Sequence, residues 1–237
     1  MPALSAGPRP GNKKMTARQK RRRRILLFVL GAVCFLLVVQ VWSMGRYPAA
    51  DTPDSPFTKE AAQRAARRVE TLESTPIPDW ITPALLDMGG VRDGTRLGDF
   101  RGVVIHYVGN PGTTAMSNRN YFAMEGTTVC SHFVVGLDGE IVQCLPLWER
   151  SVASNQRNAD TISVEVCHPD EGGQFTDATS AAVVKLTAWL CDVGGLRTEA
   201  VIRHYDVTGK QCPLYYVQHE DAWEKLRADI DAARGAQ

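Results

Sequence analysis

The chain has 237 residues, of which 27 are basic, 26 acidic and 44% hydrophobic, so it is long and apolar enough to bury the core of one domain. Its charge is uneven. Residues 1–24 carry nine basic and no acidic residues, which leaves 18 basic against 26 acidic residues beyond them, a net charge near −8. This acidic balance argues against nucleic acid or anionic lipid as a partner of the domain that follows.

Residues 25–44 follow the basic tail directly and form an uncharged stretch rich in Leu, Val, Ile and Phe. Twenty helical residues at about 1.5 Å each span the roughly 30 Å hydrocarbon core of a bilayer. The positive-inside rule keeps the basic tail in the cytoplasm. We therefore predict a cytoplasmic tail at 1–24, a single transmembrane signal-anchor helix at 25–44, and an extracytoplasmic remainder.

Two other interpretations of this segment are a cleaved signal peptide and a nucleic-acid-binding tail. A cleaved signal peptide has an apolar core of 7–15 residues and a small-residue cleavage site, whereas this stretch is longer and no clear A-x-A site follows Met44. A basic tail can also bind nucleic acid. Its position against an apolar stretch of twenty residues favours the membrane anchor.

Residues 45–75 are predicted to form a linker and a stalk helix, because Gly45–Pro56 is rich in Pro, Asp and Ala and Phe57–Ser74 has a mostly charged surface. Residues 76–237 are predicted to form one extracytoplasmic domain. Its expected strands are Val103–Val108, Val129–Val135, Glu140–Cys144, Thr161–Cys167 and Ala200–Arg203, and its expected helices are Asp177–Val193 and Val217–Ala233. This pattern predicts an α/β fold with a single mixed sheet flanked by helices.

The segment from His204 to Cys212 places an imidazole, the ammonium of Lys210 and a thiol within nine residues. Zinc is bound by His nitrogen and Cys sulfur, and a catalytic zinc has three protein ligands and one open position. His106, within the β-branched run Val103–Val108, is the candidate third ligand. A lone His in such a run is more often a core residue, but its combination with the late His-x5-Lys-x-Cys loop favours a Zn²⁺ site.

Glu165 and Lys210 are the candidate catalytic residues. In a strand, Glu165 shares its face with Ser163 and Cys167, while Val164 and Val166 point to the other side. A solvent-facing glutamate and an ordinary surface lysine are the alternatives. In the functional interpretation, Glu165 takes a proton from the water that zinc activates, and Lys210 stabilises negative charge on the substrate oxygen.

Four segments of the chain, in this order, resemble a known family: Val104–Tyr107, Ser131–Gly139, Ile162–Pro169 and Arg203–Pro213. They are similar to zinc-dependent N-acetylmuramoyl-L-alanine amidases of the type shared by phage lysozymes, bacterial autolysins and peptidoglycan recognition proteins. The resemblance covers roughly residues 80–232.

The resemblance implies a peptidoglycan hydrolase that cleaves the amide between N-acetylmuramic acid and L-alanine. Its zinc would be bound by His106, His204 and Cys212, with Glu165 as the base. We expect a monomer, held in a bacterial cell membrane by residues 25–44. His168 follows the Glu165 strand and is predicted to bind substrate.

One position departs from the family pattern. Many relatives have Tyr where this chain has Ser131, and that tyrosine has a catalytic role in some of them. Because it is absent here, Glu165 becomes the main candidate for proton transfer. Strand alternation lets only one of Ser131 and His132 face the pocket. His132 is therefore predicted at most to support the site from behind, without touching the substrate. His219 is predicted to be a surface residue.

Six cysteines are present, and Cys34 lies in the predicted membrane span. The other five would lie in an oxidising compartment, where disulfides are common. If Cys212 binds metal, four remain. A hairpin turning at Asp138-Gly139 would put Cys130 opposite Leu147 and Cys144 opposite Phe133, on different faces. We therefore expect buried thiols.

Two further functions stay open from the sequence. Recognition proteins of this type often lose the zinc cysteine and bind peptidoglycan without cleaving it, but the presence of Cys212 and Lys210 favours an enzyme. A zinc hydrolase acting on a different exported amide is the third possibility. The loops 110–122 and 151–160, which would select the substrate, have no pattern that distinguishes these options.

Overall fold

The computed structural model describes residues 56–235, with side chains from residue 59 onward. The predicted tail at 1–24 and membrane span at 25–44 lie outside these residues, so the anchor stays a prediction. Within the described part of the chain, no helix has both the length and the apolar character needed to cross a bilayer.

The described residues form six strands and six helices. The strands are β1 (Thr82–Pro83), β2 (Gly102–Ile105), β3 (Phe133–Val135), β4 (Ile141–Gln143), β5 (Thr161–Val166) and β6 (Val201–Arg203). The helices are α1 (Pro56–Ser74), α2 (Ala115–Phe122), α3 (Asp177–Gly194), α4 (His204–Thr208), α5 (Leu214–Gln218) and α6 (Glu220–Ala232), with short 3₁₀ helices at Asn155–Ala159 and Thr198–Ala200.

The strands form one mixed sheet in the order β1-β4-β3-β5-β2-β6. Only the β3–β4 hairpin is antiparallel, whereas β2 runs parallel to both of its neighbours, β5 and β6. The prediction of a single mixed sheet flanked by helices is confirmed. Since β2, β5 and β6 are parallel, their carboxyl ends lie at the same edge of the sheet.

Both faces of the sheet are buried, which explains the continuous β-branched runs. Ile105, Val164 and Val166 belong to the core cluster beneath α3, whereas Val134 and Cys167 belong to a second cluster that includes residues of α2. Glu165 therefore points away from the α3 core, as the alternation along β5 predicts.

Local sequence signals define α3. Thr176 is the N-cap residue of this helix, and its hydroxyl accepts a hydrogen bond from the backbone N–H of Thr179. The helix ends at Gly194, and Gly195 follows in the left-handed conformation with φ 58°. Glycine is favoured there because a Cβ atom would be strained.

The second half of α1 packs on the domain. Val69 and Leu72 are buried in the main core, and burying a side chain of this size contributes about 1.5–3 kcal/mol. Arg68 donates two hydrogen bonds, of 2.7 and 2.8 Å, to the carboxylate of Asp99. One compact unit extends from Glu60 to Gln237, so it includes this part of the predicted stalk helix.

Several predicted boundaries are corrected by the structure. The final helix, predicted as Val217–Ala233, is divided into α5 and α6 at His219, which is exposed as predicted. Helix α2 lies within a segment predicted as a loop. The hairpin pairs Phe133 with Gln143, whereas the predicted partner of Phe133 is Cys144, so the register differs by one residue. None of the five cysteines in the described part of the chain forms a disulfide.

Candidate active site

The candidate site lies at the carboxyl ends of three parallel strands. His106 directly follows β2, Glu165 is the penultimate residue of β5, and His204 directly follows β6. The backbone N–H of His106 still bonds to the carbonyl of Val164 at 2.9 Å, so the sheet holds this residue beside β5. This edge is where ligands bind in open α/β sheets.

Cys212 reaches the same place through a short return loop. Helix α4 ends at Thr208, and Gly209 follows it with φ 79° and lets the chain turn back. The backbone N–H of Tyr205 then donates to the carbonyl of Cys212 at 2.9 Å and closes the loop. The nine-residue spacing in the sequence therefore brings Cys212 next to His204.

His106, His204 and Cys212 form a cluster of possible metal ligands. Their nearest ligand atoms all lie within 4.8 Å of one another, and all three residues are buried. The Sγ atom of Cys212 is 3.9 Å from Nδ1 of His106, and the two imidazole centroids are 4.6 Å apart. Nδ1 of His204 is buried and has no hydrogen-bond partner among the described residues.

Two nitrogen donors and one sulfur donor fit a zinc ion with one coordination position left for water or substrate. The orphaned Nδ1 of His204 supports this fit, because a buried nitrogen without a partner is costly unless something else binds it. Burial lowers the pKa of both imidazoles, and the charge of Lys210 acts in the same direction. Both histidines are therefore neutral near pH 7, as metal ligands must be.

Glu165 adds a carboxylate next to this cluster. Its Oε1 atom is 4.0 Å from Nδ1 of His106, while Oε2 is buried without a hydrogen-bond partner among the described residues. Burial raises the pKa of Glu165 to about 8, against the opposing effect of Lys210. The strand thus keeps a carboxyl group with a perturbed pKa beside the ligand cluster, a combination that is common in active sites.

A cleft of about 270 Å³ opens onto these residues. Glu165, His204 and Lys210 line it together with Asn118 and Tyr121 from α2. A second cavity of about 600 Å³ adjoins it and shares His204 and Lys210. The two cavities therefore meet at His204 and Lys210.

Three residues singled out in the sequence lie outside the cleft. His168 is buried, its Nδ1 atom is 2.7 Å from the carbonyl of Asp170, and its ring packs on Tyr107, which lines the cleft. Its role in substrate binding stays a prediction. Ser131 and His132 are fully buried, and His132 contacts Ser163 and the carbonyl of Glu149.

The sequence interpretation missed the side chains that contact the two histidines from behind. Nε2 of His106 lies 3.0 Å from the hydroxyl of Ser154, and Nε2 of His204 lies 2.9 Å from the amide oxygen of Asn155. These residues belong to the 151–160 loop. No spacing in the sequence relates that loop to His106 or His204, which lie about fifty residues before and after it.

A mixed sheet that carries two histidines, a cysteine and a partly buried carboxylate at one edge has the groups of a hydrolytic metal centre. The family model for N-acetylmuramoyl-L-alanine amidase matches residues 96–214, half of the chain. The chain therefore belongs to the N-acetylmuramoyl-L-alanine amidase family.

Individual relatives agree with this assignment. The chain is 29% identical over 161 residues to the N-acetylmuramoyl-L-alanine amidase CwlL of Bacillus licheniformis, covering 61% of this chain and 44% of the relative. It is 29% identical over 134 residues to the amidase XlyB of Bacillus subtilis, covering 54% of this chain and 41% of that protein. The chain thus spans less than half the length of these relatives.

Solved structures share the fold. A mutant endolysin from Bacillus subtilis has a TM-score of 0.56 and 26% sequence identity, covering 63% of this chain and 97% of that one. The catalytic domain of XlyA has a TM-score of 0.55 and 25% identity, covering 63% of this chain and 98% of that domain. The similarity to the second structure is to a catalytic domain rather than to an accessory module.

Proposed function

We propose that this protein is a membrane-anchored, zinc-dependent amidase that hydrolyses the bond between N-acetylmuramic acid and L-alanine in peptidoglycan. The observation that carries this proposal is the cluster of His106, His204 and Cys212. The two histidines of the cluster line a cleft together with Glu165 and Lys210. The names of the related amidases support the choice of substrate.

His106, His204 and Cys212 would hold the zinc ion. When bound there, zinc supplies a Lewis acid that polarises the scissile carbonyl and activates water for attack. A zinc ion next to Glu165 would favour its ionised form, so that Glu165 would accept the proton of the attacking water on Oε2, the atom without a partner among the described residues. It would then deliver that proton to the nitrogen of the departing L-alanine, because the amine must gain a proton when the C–N bond breaks.

Lys210 would stabilise the negative charge that develops on the carbonyl oxygen. It lines both cavities and precedes Cys212 by two residues, so its ammonium can approach a substrate oxygen next to the ligand cluster. The fully buried Ser154 excludes water from Nε2 of His106. The chain thus provides a base, a cation and a ligand set in one cleft.

The proposed activity can be tested with the full chain and purified peptidoglycan. Mass spectrometry should detect released stem peptides with an L-alanine amino terminus, together with glycan that keeps its lactyl carboxylate. The Cys212→Ser variant should release none, whereas Cys191→Ser, which changes another buried cysteine in α3, should behave like the wild type. Sedimentation with peptidoglycan and no released peptide would instead indicate a binding module.

The membrane location is a separate part of the proposal and rests on the basic residues 1–24 against the apolar residues 25–44. Protease added to intact cells stripped of their wall should digest residues 80–237 and leave residues 1–24 undigested. Recovery of the domain in the medium, with an amino terminus near residue 50, would mean that the segment is cleaved.

A further inference from the structure

The two histidines of the candidate metal site each have two ring nitrogens, and a neutral ring carries its proton on only one of them. A metal can bind only the nitrogen without the proton. The partner of the other nitrogen decides which tautomer is present and how the ring is oriented. The groups behind His106 and His204 therefore bear directly on metal binding.

In both rings the Nε2 atom has a partner, whereas Nδ1 of His106 lies next to Cys212 and Nδ1 of His204 is buried without a partner among the described residues. The amide oxygen of Asn155, 2.9 Å from Nε2 of His204, can only accept a hydrogen bond, so this nitrogen must carry the proton. The buried hydroxyl of Ser154 is 3.0 Å from Nε2 of His106; a hydroxyl can accept or donate, and it accepts when Nδ1 of this ring carries no proton. Nδ1 of His106 lies 3.9 Å from the Cys212 sulfur.

Ser154 and Asn155 are adjacent in the chain but contact different rings, and the backbone conformation makes this possible. Asn155 has φ 53°, the one positive value among the described residues that are not glycine. Asparagine tolerates this left-handed region better than most residues, though at a conformational cost. Strain of this kind persists only where surrounding contacts fix it, and it is concentrated at functional sites.

Such contacts are present on both sides of Asn155. The side-chain oxygen of Asn158 accepts hydrogen bonds from the backbone N–H groups of Ala153, at 3.1 Å, and Ser154, at 2.7 Å. On the other side, the amide nitrogen of Gln156 donates to the carbonyl of Val207 in α4 at 3.0 Å. The turn is thereby attached to the helix that begins with His204.

We propose that Ser154 and Asn155 are positioning residues. Asn155 fixes the Nε2–H tautomer of His204, Ser154 accepts a hydrogen bond from Nε2–H of His106, and both Nδ1 atoms are thereby left for the metal. Asn158 holds the turn that presents them. The proposal rests on the proposed metal site, but the tautomers it assigns exist in the metal-free protein and can be measured there.

The first test is NMR spectroscopy of the metal-free full chain labelled with ¹⁵N at histidine. The chain has five histidines, so the long-range ring spectra can be assigned by single substitutions. His106 and His204 should both show the Nε2–H pattern. In Asn155→Gly, which keeps the left-handed backbone accessible but removes the acceptor, His204 should become a mixture of tautomers while His106 is unchanged.

The second test is the affinity for Zn²⁺ alone, measured by competition with a chromophoric chelator. Ser154→Ala and Asn155→Gly should each weaken binding by about 10–100-fold, the usual effect of losing a group that orients a ligand. Asn155→Asp restores an acceptor and should bind at least as tightly as the wild type. Ser151→Ala removes a buried hydroxyl that bonds to Ser163 and not to an imidazole, and should have no effect.

An Nδ1–H tautomer in either ring of the metal-free wild type would overturn the proposal, as would unchanged Zn²⁺ affinity in both Ser154→Ala and Asn155→Gly. A wild-type chain that binds no Zn²⁺ would refute the proposed metal site instead. The tautomer spectra would then still decide the role of the two positioning residues by themselves.

Discussion

Replacing Glu165 by Gln should abolish most of the activity without destabilising the fold. The reason is that the ionised carboxyl group is unfavourable in the folded chain and is needed only for the reaction. Gln keeps the shape of the side chain but cannot accept the proton of the attacking water. Loss of a general base typically lowers kcat by about 10²–10⁴-fold. We therefore expect at least a hundredfold lower release of stem peptide, with the zinc content unchanged.

The same substitution should change how stability depends on pH. Burial raises the pKa of Glu165 to about 8 in the folded chain, against an ordinary value of 4.5. Between these values the unfolded chain loses the proton and the folded chain keeps it, so wild-type stability falls as the pH rises through this window. At pH 7 the loss is about 3 kcal/mol, which Glu165→Gln should not show.

The assay is urea unfolding of the metal-free protein at pH 4.5 and pH 7, for the wild type and for Glu165→Gln. Glu224→Gln, a surface substitution on α6, is the matched control and should follow the wild type at both values. The reasoning is refuted if Glu165→Gln hydrolyses peptidoglycan near the wild-type rate. In that case the base is elsewhere in the cleft, and it is not His132, which is fully buried outside it.

Three further predictions concern the metal, the pH dependence and the core. Cys212→Ser should retain little zinc by elemental analysis, and stoichiometric metal in this variant would contradict the ligand assignment. Burial lowers the pKa of His132 to about 4, so the unfolded chain binds a proton that the folded chain does not between about pH 6.5 and 4. The free energy of unfolding of the wild type should therefore fall by about 3 kcal/mol as the pH drops through this window. Urea unfolding of the wild type and of His132→Asn at pH 7 and pH 4 should show that the variant lacks this loss. Leu72→Ala should destabilise the domain by about 2–5 kcal/mol in the same assay, because Leu72 is fully buried; a value below 1 kcal/mol would mean that α1 does not pack on the core.

The strands and helices that could be predicted are those whose signals are local. The β-branched alternation around Glu165 predicted β5 to within one residue, and the N-terminal residue of α3 was predicted at Asp177, next to its Thr176 cap. Helix α2 could not be predicted in this way, because it spans only eight residues and its apolar residues lie at its two ends instead of recurring every three or four positions. The hairpin register also needed the structure, since a shift of one residue leaves the sequence pattern nearly unchanged.

The sequence by itself determined which chemical groups are available: two histidines, a cysteine, a glutamate and a lysine in motifs of a known family. Only the tertiary structure decided that β2, β5 and β6 run parallel, so that groups separated by as much as 106 residues meet at one edge. It also decided the partners of the imidazoles. A hydrogen bond between Asn155 and His204 depends on a left-handed turn and on strand packing, and neither leaves a periodic signal in the sequence.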